Sequence, residues 1–470
     1  MSARESTPGS IEPGSEIDGF VVGERLHAGA MGTLYRVSGP AADFPMVMKV
    51  PRIRAGESEE ALINFETEVM TLPALVGPHV PRFVAAGDLA RLPYVVTEWV
   101  EGESLEAIRT RGVVSFGEVA RLGAALADAV HSLHQQDTIH FDLKPDNAIV
   151  RPSGEIALID FGLAYHAGFP DLLAEEKRFA AGSAPFISPE QVLGTRDDPR
   201  SDLFALGVVL YELTTGELPF GVPATLAGLR DRLWLDPVPP AARRPGVPPW
   251  LQEVILRCLE PDAAERYQSA AHVAFDLRHP EQVKLTARAA KAGQDPFLTR
   301  ARRWWRMRRV RHVVRRMPKM QVGSTPVIMV AVDTTHPEDE RQPFLQRVTA
   351  QLLSLSAEFR LVCVSVIRAG PDAREEAPSG AYLEHLVRLR HWVDPLRLPA
   401  QRLSLHVIES ANPAGALLEY ARSNHVDLIV LGAPDPSQQA MAWWRSVASA
   451  VTANATCSVH VVRVPAQAGP

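Results

Sequence analysis

The chain has 470 residues, of which 46% are hydrophobic and 22% charged, and a formal net charge of -6. Such a composition excludes a wholly disordered or fibrous chain, and at about 150 residues per domain the length predicts roughly three folding units. No uncharged apolar run approaches the roughly 18 residues that a bilayer-spanning helix needs, which excludes one.

Residues 1–16 are polar, contain Pro8, Gly9, Pro13 and Gly14, and lack the apolar core of a secretory signal, so they read as the disordered tail of a cytosolic protein. Residues 20–50 follow a strand-like pattern punctuated by Gly29 and Gly32. The next stretch, 58–75, has helical apolar spacing at Leu62, Phe65, Val69 and Leu72. A further apolar strand, 94–100, runs into Glu101-Gly102, and beyond Ser104 the apolar runs have helical length, at 119–133, 202–214 and 250–259. Strands first and helices after them predict an α+β fold for the first 280 residues. Nine Arg and Lys319, with no Asp or Glu, then crowd residues 296–323. These ten positive charges against a total of -6 leave -16 for the rest of the chain. After them, short β-rich runs at 327–332, 361–367, 404–408, 428–431 and 459–464 alternate with helix-length segments, the pattern of a parallel α/β sheet. Cys258, Cys363 and Cys457 are too dispersed for a zinc site or an evident disulfide framework and read as buried thiols.

Several motifs fall in one order along the first 280 residues. Leu26 to Tyr35 carries Gly29 and Gly32, where the lack of a Cβ lets backbone N–H groups approach a phosphate. Lys49 lies inside an apolar strand, a costly place for an unpaired ammonium. His140-Phe141-Asp142-Leu143-Lys144-Pro145-Asp146-Asn147 gathers a carboxylate, an ammonium and an amide within eight residues. Thirteen residues after Asn147, Asp160-Phe161-Gly162 ends the apolar run 156–159. Gly182 to Glu190 and Asp202 complete the series.

Together these motifs resemble a eukaryotic-type Ser/Thr protein kinase over about 260 residues, with its two-lobed α+β fold. The resemblance implies that Gly29, Gly32 and Leu34 cover ATP, that Lys49 holds its phosphates and pairs with a helical glutamate, Glu68 by preference with Glu66 as the alternative, and that Thr97 is the gatekeeper beside a hinge whose backbone at Glu98 and Val100 meets adenine. It makes Asp142 the residue that orients the acceptor hydroxyl and takes its proton, Lys144 the neutraliser of the transferring phosphoryl, and Asn147 and Asp160 the Mg2+ ligands. It also pairs Glu190 with Arg266 and has Asp202 hold the backbone of the catalytic loop. Three departures stand out: His27 replaces the first loop glycine, Ser188 opens the Pro189-Glu190 motif, and Phe141 replaces the arginine that in many kinases grips a phosphate on the activation segment. Residues 163–181 contain no Ser or Thr, so loop phosphorylation is not the expected switch, and control is expected to pass to the linker or the C-terminal domain.

The runs 327–333 and 426–433 resemble the first and fourth strands of universal stress protein domains, a Rossmann-like α/β fold. Asp333 is then a candidate adenine or ribose contact, although Pro434, Asp435 and Arg445 stand near positions where ATP-binding members carry glycines. A regulatory or dimerising module is the favoured reading of this domain. In the basic stretch Met307, Val310, Val314 and Met317 repeat at helical spacing, which predicts an amphipathic helix for an anionic surface or for an acidic face of the chain itself.

The expected organisation is a tail (1–16), a kinase domain (17–280), a basic and partly helical linker (281–323), a stress-protein-like domain (324–465) and a second tail (466–470). The expected function is Mg-ATP-dependent phosphorylation of protein Ser/Thr hydroxyls in the cytoplasm, by a homodimer joined through the C-terminal domain, a pairing of domains that looks bacterial. The alternative is a catalytically weak nucleotide-sensing scaffold.

Overall fold

The computed structural model describes residues 11–29, 32–39, 43–51, 59–88, 91–176, 182–223, 225–293, 326–336, 341–354, 359–367, 379–433 and 447–463. The expected basic helix, both chain ends and the 434–446 stretch lie outside them. The chain forms two compact units, one of residues 1–52, 63–167 and 178–316 and the other of 53–62, 168–177 and 317–470.

The first unit opens with an antiparallel sheet of strands β1 (Glu16–Ile17), β2 (Phe20–Gly29), β3 (Gly32–Ser38), β4 (Met46–Pro51), β5 (Phe83–Ala86) and β6 (Val95–Glu98), in the order β1-β2-β3-β4-β6-β5. Alternation decides its faces: Tyr35, Val37, Met46 and Met48 turn into a core with Phe20, Val22, Tyr94 and Val96. Lys49, next to Met48, therefore belongs to the opposite face. Helix α1 (Glu59–Thr71) buries Leu62, Ile63, Phe65 and Glu68. The β2–β3 turn needs glycine at Gly32, whose φ is +151° and whose added Cβ would stand 2.5 Å from the Val50 carbonyl oxygen.

Beyond the sheet the chain is mainly helical. Helices α2 (Leu105–Thr110) and α3 (Phe116–His134) start at Ser104 and Ser115, whose side chains accept from the N–H groups of Ala107 and Glu118. The helix Arg200–Thr215 is buried over nearly its whole length, as its apolar residues on every side require. Between these helices lie short strands: β7 (Glu103–Ser104), β8 (Thr138–Ile139), β9 (Ala148–Val150), β10 (Ile156–Leu158) and β11 (Tyr165–His166). Strands β9 and β10 form an antiparallel hairpin, β7 pairs with β9, and β11 pairs with β8. Residues 286–291 remain anchored to this unit: the Gln252 amide donates to the carbonyls of Arg288, Ala289 and Lys291, and the Glu253 carboxylate accepts from the N–H groups of Thr286 and Ala289.

The second unit has a wholly parallel sheet of β12 (Val327–Ala331), β13 (Arg360–Ile367), β14 (Leu403–Glu409), β15 (Leu428–Gly432) and β16 (Ser458–Val462), in the order β14-β13-β12-β15-β16. Central β12 and β13 are buried almost throughout, which is why they read as continuous apolar runs, whereas β16 alternates at the sheet edge. Cys258 and Cys363 are fully buried and Cys457, just before β16, is partly exposed.

Candidate active site

Three chain segments bring the charged groups of the first unit together. Strand β4 supplies Lys49, α1 supplies Glu68, and the turn after β10 supplies Asp160. The Lys49 Nζ lies 2.7 Å from Glu68 Oε2 and 2.7 Å from Asp160 Oδ1. The structure thus brings Glu68, and not Glu66, to the lysine. Burial alone would lower the Lys49 pKa, but the two carboxylates outweigh it and raise it above the ordinary lysine range. Burial raises Glu68, whereas Lys49 outweighs burial at Asp160 and holds that carboxyl below its usual range.

The loop after β8 presents Asp142, Lys144 and Asn147. Asp142 Oδ1 accepts from the Ser183 N–H at 2.8 Å, and its Oδ2 faces Lys144 Nζ at 3.0 Å. Lys144 also donates to Ser183 Oγ at 3.1 Å. Asn147 donates from Nδ2 to the Asp142 carbonyl at 3.0 Å and to Asp142 Oδ2 at 3.2 Å, so its Oδ1 is turned away from that carboxylate. Ser183 carries no role in the sequence reading, although its place directly after Gly182 in the 182–190 motif was the available signal.

Asp202, fully buried, fixes the loop. Its Oδ2 accepts from the His140 N–H at 2.9 Å and faces His134 Nε2 at 2.9 Å, and its Oδ1 accepts from the Phe141 N–H at 3.0 Å. Burial would raise this carboxyl, but His134 and His140 reverse the effect and hold it below the ordinary range. Phe141 (φ 61°) and Asp160 (φ 67°) both occupy the left-handed region, a conformation costing about 1–3 kcal/mol for such residues, so the surrounding bonds must enforce it. At Phe141 they do so from both sides, because the Gln191 amide donates to its carbonyl oxygen. The Arg196 guanidinium lies 4.6 Å from the Phe141 ring centroid and donates to the Leu163 carbonyl oxygen at 2.8 Å, a contact that sequence spacing did not suggest. Glu190 and Arg266 form a two-pronged buried ion pair, at 2.6 and 2.8 Å.

Gly29 and Gly32 face each other across the β2–β3 turn, and Leu34 lies opposite Lys49 in the register of β3 and β4. Thr97 and Glu98 close β6, with Val100 two residues on. Glycine loop, lysine, hinge and catalytic loop thus belong to one unit. Asp160 Oδ2 takes no hydrogen bond among the described residues, and with the Asn147 Oδ1 it offers two hard oxygen donors. That donor set fits a divalent cation whose other ligands are phosphate oxygens and water. No cluster of three or more His, Cys, Asp or Glu side chains with metal-binding geometry occurs among the described residues. In the second unit Asp333 follows β12 and Gly432 ends β15, so both lie at the carboxyl ends of adjacent central strands, where the strand order reverses. Burial would raise Asp333, but hydrogen bonds from Thr335 and His336 hold it below its usual range.

Residues 20–276 match the family model described as "Protein kinase domain", and residues 325–463 match the "Universal stress protein family". The serine/threonine-protein kinase PknB of Mycolicibacterium smegmatis is 31% identical over 265 residues, covering 55% of this chain and 42% of that protein. A probable serine/threonine-protein kinase of Clostridium perfringens, CPE1738, is 28% identical over 268 residues, covering 57% and 39%. The chain thus spans about two fifths of the length of these relatives. Among solved structures, the PknI kinase domain of Mycobacterium tuberculosis aligns with 57% of this chain and 99% of its own, at 23% identity and a TM-score of 0.47. The family implies ATP and a divalent metal ion. With the matched region exceeding half of its length, this chain belongs to the protein kinase family and carries a universal stress protein domain after the kinase domain.

Proposed function

We propose that the protein is a Ser/Thr protein kinase that transfers the γ-phosphoryl group of Mg-ATP to hydroxyl groups of protein substrates. The observation that carries this reading is the joint presence of the Lys49–Glu68–Asp160 ion cluster and the Asp142–Lys144–Asn147 loop, hydrogen-bonded to Ser183. A weak nucleotide-sensing scaffold would not require all of these groups.

In the proposed reaction the acceptor oxygen bonds to the γ-phosphorus, the bond from that phosphorus to the ADP oxygen breaks, and the acceptor proton passes to the Asp142 carboxylate. Lys49 holds the α and β phosphates and Lys144 faces the transferring group. Gly29, Gly32 and Leu34 cover the nucleotide, and the backbone at Glu98 and Val100, beside Thr97, meets its base. Asn147 and Asp160 hold Mg2+, which neutralises charge on the phosphates when bound. No described helix is long and apolar enough to cross a membrane, and the proposed site of action is the cytoplasm.

The division into 17–280, 281–323 and 324–465 belongs to the same proposal, with the C-terminal domain as a regulatory and dimerising module and the basic linker as an anion-binding segment. The test is incubation of the full chain with γ-labelled ATP, Mg2+ and a basic acceptor protein, followed by phosphoamino-acid analysis. Label on Ser or Thr, with ADP released in equal amount, supports the reading. No label above the Asp142→Asn background overturns it.

A further inference from the structure

One arginine outside all the motifs connects the two ends of the proposed nucleotide site. Arg151 directly follows β9, the strand that begins immediately after Asn147. Its Nη1 donates to Glu98 Oε1 at 2.8 Å, and its Nε donates to the Pro78 carbonyl oxygen at 3.0 Å. Glu98 closes β6 and opens the hinge. The other carboxylate oxygen of Glu98, Oε2, accepts from Arg82 N and Arg82 Nε, each at 3.2 Å. A single hinge carboxylate is thus held by β9 on one side and by the edge of the β5–β6 region on the other.

The hinge has a second attachment to the same strand. Gly102 has φ +143°, and an added Cβ would stand 2.1 Å from the Val150 carbonyl oxygen, so the chain presses directly on β9 before β7 pairs with it. Residues 98–103 therefore form a bracket with both ends on β9, one through the Arg151 side chain and one through backbone pairing. Pro78 extends the connection. The next residue, His79, accepts at its carbonyl oxygen from the Leu158 N–H at 2.8 Å, and its Nδ1 lies 2.8 Å from the Ile156 carbonyl oxygen. Those contacts lie along β10, which leads to Asp160.

We infer that Arg151 is a positioning residue for the nucleotide: by tying the hinge carboxylate of Glu98 and the Pro78 carbonyl to the β9–β10 hairpin, it sets the span between the adenine-facing hinge and the Asn147 and Asp160 oxygens. It touches neither the nucleotide nor the acceptor. A ligand that bridges hinge and hairpin gains affinity from a span fixed in advance, because less ordering is left for binding to impose. Glu98 behaves as a held carboxylate: although burial would raise it, the Arg151 bond, with Arg82, brings it below the ordinary glutamate range.

The competing account is an ordinary stabilising ion pair. Arg82 supplies the comparison, since it binds the same carboxylate with a side chain 57% exposed, against 17% for Arg151, and does not reach the hairpin. The inference rests on the proposed ATP site, so the experiment measures ATP affinity of the full chain by calorimetry and steady-state kinetics on an acceptor protein, with Tm recorded for each variant. Arg151→Met should raise the Kd and KM for Mg-ATP about tenfold, the factor produced by losing ~1.4 kcal/mol, while kcat stays within about twofold. Arg151→Lys, which can reach Glu98 but cannot span to Pro78 as well, should recover part of the affinity. Arg82→Met should leave Kd near the wild-type value. Glu98→Gln combined with Arg151→Met should be no worse than Arg151→Met alone, because among the described residues the Glu98 carboxylate is tied to the hairpin only through Arg151.

Equal Kd in wild type and Arg151→Met, or an equal loss in Arg82→Met, overturns the inference and leaves the kinase reading intact. A fall in Tm with KM and kcat changed in parallel, not restored by Arg151→Lys, reduces Arg151 to a structural pair and overturns it too. Wild-type chain that binds no ATP overturns both readings at once.

Discussion

At the scale of single residues the proposed mechanism separates binding from chemistry, because the carboxylates it uses have different neighbours. Asp142 faces Lys144 and the Ser183 N–H, whereas Asp160 faces Lys49. Asp142→Asn should therefore lower kcat by about two to four orders of magnitude, the range of general acid–base contributions, with ATP affinity nearly unchanged. Asp160→Asn should weaken Mg-ATP binding as well, and calorimetry beside initial rates distinguishes the two. A variant of either that keeps full activity would remove that residue from the mechanism. Asp202 gives a prediction in pH. Its folded pKa lies below the unfolded value, so its contribution to stability is fully present above about pH 4 and is lost as pH falls through the folded value. The urea midpoint of the full chain should accordingly exceed that of Asp202→Asn at pH 5, and the gap should narrow below about pH 4.

At the scale of elements, the activation segment is expected to work without a phosphate. Tyr165, the lone hydroxyl-bearing residue at 163–181, is buried in β11 and paired with Ile139 of β8, so it is poorly placed for modification. Phe141 meets the Arg196 guanidinium, which also holds the Leu163 carbonyl oxygen. A cation over an aromatic face is worth about 0.5–2 kcal/mol, and the expectation is that it does the work of an arginine and phosphate pair. Phosphatase-treated chain should start without a lag on an external substrate, whereas Arg196→Met should lower the initial rate several-fold. A lag abolished by phosphorylation at Ser183 or Tyr165 would reverse this account. The longer elements of this region were legible from periodicity: α1, α3 and the helices Arg200–Thr215 and Pro249–Cys258 fall where apolar spacing placed them. Strands β7, β8 and β11, of two residues each, are too short to carry a period, and β5 escaped because all four of its residues are only half buried. Arg151 and Arg196 were illegible for a related reason. A surface-type residue reveals its role only when folding brings a distant carboxylate, carbonyl or ring to it.

At the scale of the whole molecule, the second unit reads from sequence more directly than the first, because a parallel strand buried on both faces is an unbroken apolar run. All five strands of its sheet fall within a few residues of the expected positions. Edge strand β16, with Val459 and Val461 half buried and its outer backbone groups unpaired within the sheet, offers a row of hydrogen-bonding groups to a second copy. The full chain at micromolar concentration should scatter light as a dimer, and a monomer mass would reject that arrangement. Cys457 sits immediately before this strand, and its consequence is practical. Burial pushes the Cys258 thiol up to about 12 and raises Cys363 further still, which leaves both as poor nucleophiles inside their cores. Burial raises the Cys457 thiol as well, but with part of its surface in solvent it is the natural attachment point for a spin label or fluorophore, so the predicted dimer can be tested by a label-to-label distance without engineering a cysteine.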